Sequence, residues 1–207
     1  MSSIMAKTNK KIGVQQILLH LDQETEAMVD YLCRQSGKLY NMGVYYARQI
    51  FFKTGRLLTG KFDLIYEESI GKNLIAKSLP STPTQQTLLS VTESFKGYNK
   101  LRDIWFNGQL QSKPKPPGYL KGAKLFKVSY PNSGGQKPKV INGNLRFALG
   151  LTVKRWFDIK YFEIPFPTNL EGIKIKEWTI LPKNGAFYLE ISYELLEWDK
   201  GTQLNKK

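Results

Sequence analysis

One strand-like run stands far ahead of every other in this chain, and that placement most constrains how the chain can fold. Ile12, Val14, Leu18 and His20 share one phase of the run from Ile12 to Leu21, and Ile17, Leu19 and Leu21 share the other. Strand signals return only after Gly108. A lone strand would leave its backbone N–H and C=O groups unpaired, so it has to find a partner in the later half. The order predicts an α+β fold, a β-barrel or sheet interrupted by a helical insertion, and the mixed apolar phases leave both faces of the first strand open to cover.

Helical signals fill the interval. Asp22 sits where an N-cap belongs and Glu24 favours the first turn; Met28, Leu32, Leu39, Met42, Tyr46 and Ile50 follow at helical spacing. This predicts one helix of roughly 28 residues, ending before Thr54-Gly55. A weaker helix is expected from about Phe62 to Lys77, with Phe62, Ile65, Tyr66 and Ile70 on one side. Thr82-Pro83-Thr84-Gln85 has the capping-box form, and Leu88, Val91, Phe95, Tyr98 and Trp105 continue a third helix to Asn107-Gly108.

Lys113-Pro114-Lys115-Pro116-Pro117-Gly118 cannot be helix and reads as a stiff, exposed connector. Strands are expected to dominate after it. They include Lys124 to Tyr130, the alternating Leu145, Phe147 and Leu149, and Tyr161 to Phe166, which Pro165 confines to an edge or end. Ser133-Gly134-Gly135 reads as a turn between strands. Ile173 to Leu181 and the alternating Phe187, Leu189, Ile191 and Tyr193 flank Asn184-Gly185, a strong hairpin signal. A shift of apolar phase between Ile175 and Trp178 predicts a bulge near Lys176 or Glu177. The resulting division is a discontinuous β domain, residues 1–22 plus 109–207, around a helical insertion, residues 23–108.

Few residues offer chemistry. Cys33 is the only cysteine and His20 the only histidine, which excludes an internal disulfide framework or Cys/His zinc site and points to a reducing cytoplasm. Met1 to Lys11 lacks an apolar core of signal-peptide length, so neither export nor membrane spanning is expected. His20 reads as a packed or edge residue and Cys33 as a buried helix residue. Glu67-Glu68, Glu190, Glu194 and Glu197 read as solvated charge rather than metal ligands. No Gly-rich phosphate loop occurs. No catalytic residue, metal or cofactor is expected, and the chain is not expected to be an enzyme by itself.

The charge pattern is more informative. No acidic residue lies between Asp103 and Asp158, yet the stretch holds Lys113, Lys115, Lys121, Lys124, Lys127, Lys137, Lys139, Arg146, Lys154 and Arg155, most of the formal net charge of +14. Tyr119, Phe126, Tyr130, Phe147 and Trp156 are interleaved with them. This is the composition of a polyanion-binding surface. Nucleic acid is favoured over membrane, because the segment reads as loops and strands and not as one basic amphipathic helix. Tyr119 and Trp156 join these cations as candidate contacts. Arg34, Lys38, Arg48, Lys96, Lys100 and Arg102 form a second rank, since helices ordinarily turn charge outward, and of these Lys96, Lys100 and Arg102 join the candidate contacts. Trp105, Trp178 and Trp198 read as packing residues.

Four features in order resemble a known family. Lys38-Leu39-Tyr40-Asn41-Met42-Gly43 on the first helix is similar to a segment near the start of TnpB (OrfB) proteins of insertion sequences. Gln85-Gln86-Thr87-Leu88 through Phe95-Lys96, the basic Pro116-Pro117-Gly118-Tyr119-Leu120-Lys121, and the closing Trp178 to Glu194 hairpin follow in the family's order. The resemblance spans roughly residues 12 to 195. It implies the front half of a transposon-encoded, RNA-guided DNA nuclease: a wedge-type antiparallel β-barrel with a helical recognition insertion, gripping a guide RNA and target DNA through backbone and shape. In that family a RuvC-like nuclease and zinc ribbon would begin shortly after Tyr193-Glu194. The expectation is therefore a non-catalytic binder of RNA and DNA; the alternatives are the binding half of a split endonuclease whose RuvC-like half is a separate chain, and a basic interaction protein unrelated to transposition.

Overall fold

The computed structural model describes residues 11–67, 70, 73–122 and 124–195. The opening strand β1 (Ile12–Leu18) pairs antiparallel with the last, β7 (Ala186–Glu194), in register from Ile12 opposite Glu194 to Leu18 opposite Tyr188. The first strand does find its partner across the helical insertion. It is shorter than the apolar run that announced it. With β6 (Ile175–Lys183) and β2 (Val128–Pro131), these strands make a four-stranded sheet in the order β1-β7-β6-β2. β1 lies at its edge, and only one of its faces is covered: Ile12, Val14 and Leu18 are exposed, whereas Ile17 packs toward the core.

The β6–β7 hairpin turns on Asn184 (φ 53°) and Gly185 (φ 75°), the paired positive φ values that match the right-handed twist of the flanking strands. Ile175 pairs with Tyr193 and Glu177 with Ser192, so Lys176 is the extra residue of the expected bulge. A second sheet, β3-β4-β5, is built from Lys139–Ile141, Asn144–Ala148 and Tyr161–Pro165. Asn142 (φ 50°) and Gly143 (φ 74°) form its hairpin turn, and Pro165 ends its edge strand β5. Among the described residues no pairing closes either sheet into a barrel. The sheets meet through side chains instead. Tyr130 of β2 sets its ring edge-on to Phe147 of β4 at 5.2 Å and donates its hydroxyl to the Ala148 carbonyl at 3.2 Å. Phe147 in turn stacks on Phe162 of β5. Burial of each such ring stabilises by about 1.5–3 kcal/mol.

Helix α1 (Gln23–Thr54) is longer than its spacing predicts, about 48 Å at 1.5 Å per residue. Asp22 caps it, accepting from the Thr25 N–H at 2.9 Å and the Thr25 hydroxyl at 2.7 Å; Gly55 (φ 72°) ends it in a left-handed conformation. The first part of the segment expected to be a second helix, Phe62 to Tyr66, is turns and bend. Asp63 folds back to accept from the Gly60 N–H; among the described residues helix is found at Ile70 and over α2 (Leu74–Ser78), where Asn73 caps Ile75. Glu68 lies outside the described residues.

Helix α3 (Ser81–Phe106) begins one residue before the expected capping box. Its first turn is capped from outside: Gln136, in the turn after β2, accepts from the Thr82 N–H and the Ser81 hydroxyl, both at 3.0 Å. The Thr84 hydroxyl goes instead to the carbonyls of Ala76 and Pro80. Contacts from Ser36 to Thr87, Tyr40 to Ser94 and Phe51 to Tyr98 advance together along both helices, so α1 and α3 run side by side in the same direction. Strand does not dominate the rest. Lys124 to Lys127 is irregular, and Leu151–Phe157 is a helix, α4. One continuous core joins the helices to both sheets, from Leu32, Leu39 and Phe95 to Tyr130, Ile180 and Leu189.

Candidate nucleic-acid interface

Prolines and glycines keep the segment from Lys113 to Lys127 out of regular structure, and its backbone groups must be satisfied elsewhere. Helix α1 supplies the partners. Pro117 accepts from Arg48 Nη1 at 2.8 Å, the Leu120 N–H donates to Asn41 Oδ1 at 2.8 Å, the Phe126 N–H donates to the Cys33 carbonyl at 3.0 Å, and Lys127 accepts from the Ser36 hydroxyl at 2.8 Å. The connector therefore runs antiparallel to α1, from the level of Phe52, which lines one groove with Lys113 to Pro116, down to that of Cys33, a span of about 28 Å at 1.5 Å per residue.

Two close approaches fix this path. Phe126 packs against Tyr40 with ring centroids 4.5 Å apart. Gly37 lies so near the connector that a Cβ there would meet the Lys124 carbonyl oxygen at 1.6 Å. Lys113, Lys115, Lys121, Lys124 and Lys127 are all exposed along this track and have no carboxylate partner among the described residues. Lys38 of α1 joins Lys124 on the rim of a largely apolar cavity of about 500 Å³.

At the far end of the track, cations and rings alternate. Arg48 lies 5.0 Å from the Phe52 ring centroid and 5.7 Å from that of Tyr119; Arg102 lies within 6 Å of Phe51, Tyr98 and Phe106; Lys113 lies 5.5 Å from Trp105. Such pairs are worth about 0.5–1 kcal/mol each where exposed.

The remaining candidates do not join this track as one group. Arg146 is bound to Glu163 on β5 at 2.8 Å and stacked 3.7 Å from the Tyr161 ring centroid. Lys139 stands directly across from Arg146 on the same face of that sheet, and Lys137 precedes β3. Lys154 and Arg155 ride on α4, where exposed Trp156 meets Tyr31 of α1 edge-on at 5.3 Å. Lys96 and Lys100 are exposed on α3. Of the second-rank helix cations, Arg48 and Arg102 reach the far-end cluster.

The rings of Phe51, Phe52 and Phe106 are the functional candidates that sequence reasoning left out. A signal was present. Adjacent residues on a helix point about 100° apart, so Phe51-Phe52 and Trp105-Phe106 cannot both turn into one core stripe.

Among the described residues, the carboxylates singled out in the sequence have partners. Glu190 accepts from Gln16 at 2.6 Å, Glu194 pairs with Lys176 and with Lys174 at 3.5 Å, and Glu67 accepts from the Tyr46 hydroxyl at 2.7 Å. Burial pushes the Cys33 thiol far up, reinforced by nearby Asp30, so it stays protonated. His20 is exposed beyond β1, Trp178 is buried in β6, and Glu197 and Trp198 lie outside the described residues. No group of three His, Cys, Asp or Glu side chains among the described residues could hold a metal ion, and none of their helices is long and apolar enough to cross a membrane. No protein-family model and no curated protein matches this chain.

Proposed function

We propose that this chain is a nucleic-acid-binding protein, non-catalytic by itself, that grips a phosphate backbone along the ridge formed by α1 and the Lys113–Lys127 connector. One observation carries the reading: five exposed lysines, without carboxylate partners among the described residues, lie on a segment tied against about 28 Å of helix. Phosphates of one strand recur every ~3.4 Å along a duplex axis, so the track spans about eight of them. Engagement of Glu163, Glu190 and Glu194 with neighbouring side chains supports binding over carboxylate chemistry.

Fluorescence anisotropy with labelled RNA tests it. Neutralising about six to ten phosphates makes affinity fall on the order of a thousand-fold or more between roughly 50 and 200 mM salt. A flat salt response overturns the proposal.

The same protein reads as the guide-RNA- and target-DNA-binding front half of a TnpB-like, transposon-encoded protein, its four-stranded sheet corresponding to part of the wedge-type barrel. Pairing of β1 with β7 across the helical insertion supports this. Sequencing the RNA retained on protein expressed beside its native locus checks it: a single enriched species from that locus is the expected result, and bulk host RNA speaks against it.

A further inference from the structure

We propose that the far end of the α1–α3 pair is a stacking site for unpaired RNA bases. This rests on the nucleic-acid reading and adds to it the kind of strand held. Three rings stand out there: Phe52 is 60% exposed, Phe106 66% and Tyr119 47%. Each has a guanidinium beside it, Arg48 for Phe52 and Tyr119, Arg102 for Phe106. Between the helix ends runs a groove of about 470 Å³, and its wall includes Arg102, Lys113 and Lys115 but no carboxylate.

Each alternative occupant meets a physical obstacle. An apolar protein surface covering the rings would also bury Arg48, Arg102, Lys113 and Lys115 without counter-charge, which costs several kcal/mol per ion. A duplex keeps its bases stacked inside, out of reach of side-chain rings. Unpaired bases satisfy both features at once, with π faces for the rings and guanidinium planes and phosphates for the lysines. In RNA, such bases are presented by loops, bulges and ends, the elements most often read by aromatic and arginine stacking. Lys113 and Lys115 belong to both the groove and the lysine track, so one strand can enter the groove while its backbone follows α1.

The test compares the full chain with a Phe52→Leu/Phe106→Leu/Tyr119→Leu variant, which keeps apolar bulk and removes the rings. Probes are a mixed-sequence single-stranded RNA of about twelve nucleotides, a length covering the eight-phosphate track with a few bases to spare, and the corresponding blunt duplex. Single-strand affinity should fall about five- to a hundred-fold for each stacked base removed, with duplex affinity and the salt slope unchanged. Phe106→Leu alone, at the most exposed of the three rings, should show a drop of at least about five-fold. Unchanged single-strand affinity overturns the stacking site while leaving the phosphate ridge standing, and equal loss on both probes overturns it as well. If the parent chain binds neither probe, the nucleic-acid reading falls too. Ultraviolet cross-linking in cells fixes the source: ribonucleotide adducts on Phe52, Phe106 or Tyr119 support RNA, and deoxyribonucleotide adducts there overturn that assignment.

Discussion

The Lys113–Lys127 connector and the β3-β4-β5 sheet draw on the same acid-free stretch of sequence, yet they present their charge differently. On the sheet, the period of two places Lys139, Arg146 and Glu163 in one cross-strand row, where Glu163 neutralises Arg146 and Tyr161 covers its guanidinium. The connector has no neighbouring strand to supply a carboxylate. Its backbone is tied to α1 and its lysines project into water. Local sequence counts charge, but pairing register decides how much is left for a partner.

Neutralising each region in turn gives the largest expected effect. Replacing Lys113, Lys115, Lys121, Lys124 and Lys127 with glutamine should reduce the salt slope of RNA binding by about four, at ~0.7–0.9 for each phosphate no longer neutralised, and weaken binding by orders of magnitude. The Lys137→Gln/Lys139→Gln/Arg146→Gln variant should change the slope by about one or less. Equal losses in salt titrations of the two variants would erase the distinction.

Next in size is a change that moves the track without touching its charge. Gly37→Ala puts a methyl where the Lys124 carbonyl lies, so α1 or the connector backbone must shift; overpacking of this kind costs about 1–3 kcal/mol. Thermal melting should report that loss, with RNA affinity falling alongside. Gly97→Ala, on exposed α3 backbone with nothing within 4 Å, should instead stabilise by about 0.4–1 kcal/mol and leave binding intact. If Gly37→Ala melts like the parent, the connector is not seated against α1.

What was legible in the sequence was whatever is set locally or by strand pairing. The Asp22 cap, the Asn184-Gly185 turn, the bulge at Lys176 and the need of β1 for a distant partner each follow from a few adjacent residues or one pairing rule. Tertiary partners were not legible. Gln136 caps α3 from some fifty residues away and displaces the capping box. Asp63 bonds locally and holds the first part of the expected second helix in turns, and Asn73 caps a short helix of its own. At the site, the lysines were readable as a run of charge, whereas their alignment depends on Asn41, Ser36 and the Cys33 carbonyl, which look like ordinary helix residues.

Freeing a sheet cation should sharpen the contrast by a smaller amount. Glu163→Gln removes a partly exposed ion pair worth about 0–1 kcal/mol, so stability should barely move. Arg146 would then be available, and RNA affinity should rise a few-fold with a salt slope steeper by about one. No gain in anisotropy titrations would mean that the stacking on Tyr161, and not the carboxylate, withholds this cation.

The smallest effect belongs to the start of α1, beyond the end of the lysine track. Hydrogen bonds from the Thr25 N–H and hydroxyl hold the Asp22 carboxyl below its usual range. A carboxylate depressed in the folded state lends stability above its unfolded value, about 3.8, and loses it as pH falls through the lower folded value. Asp22→Asn keeps the cap without the titration, so melting near neutral pH should match the parent and the acid limb of Tm against pH should flatten. RNA binding should keep its salt slope, because the cap orders the helix end and touches none of the connector lysines. A changed slope in this variant would tie the two ends of α1 together and blur the line between the part of the helix that folds the chain and the part that presents its charge.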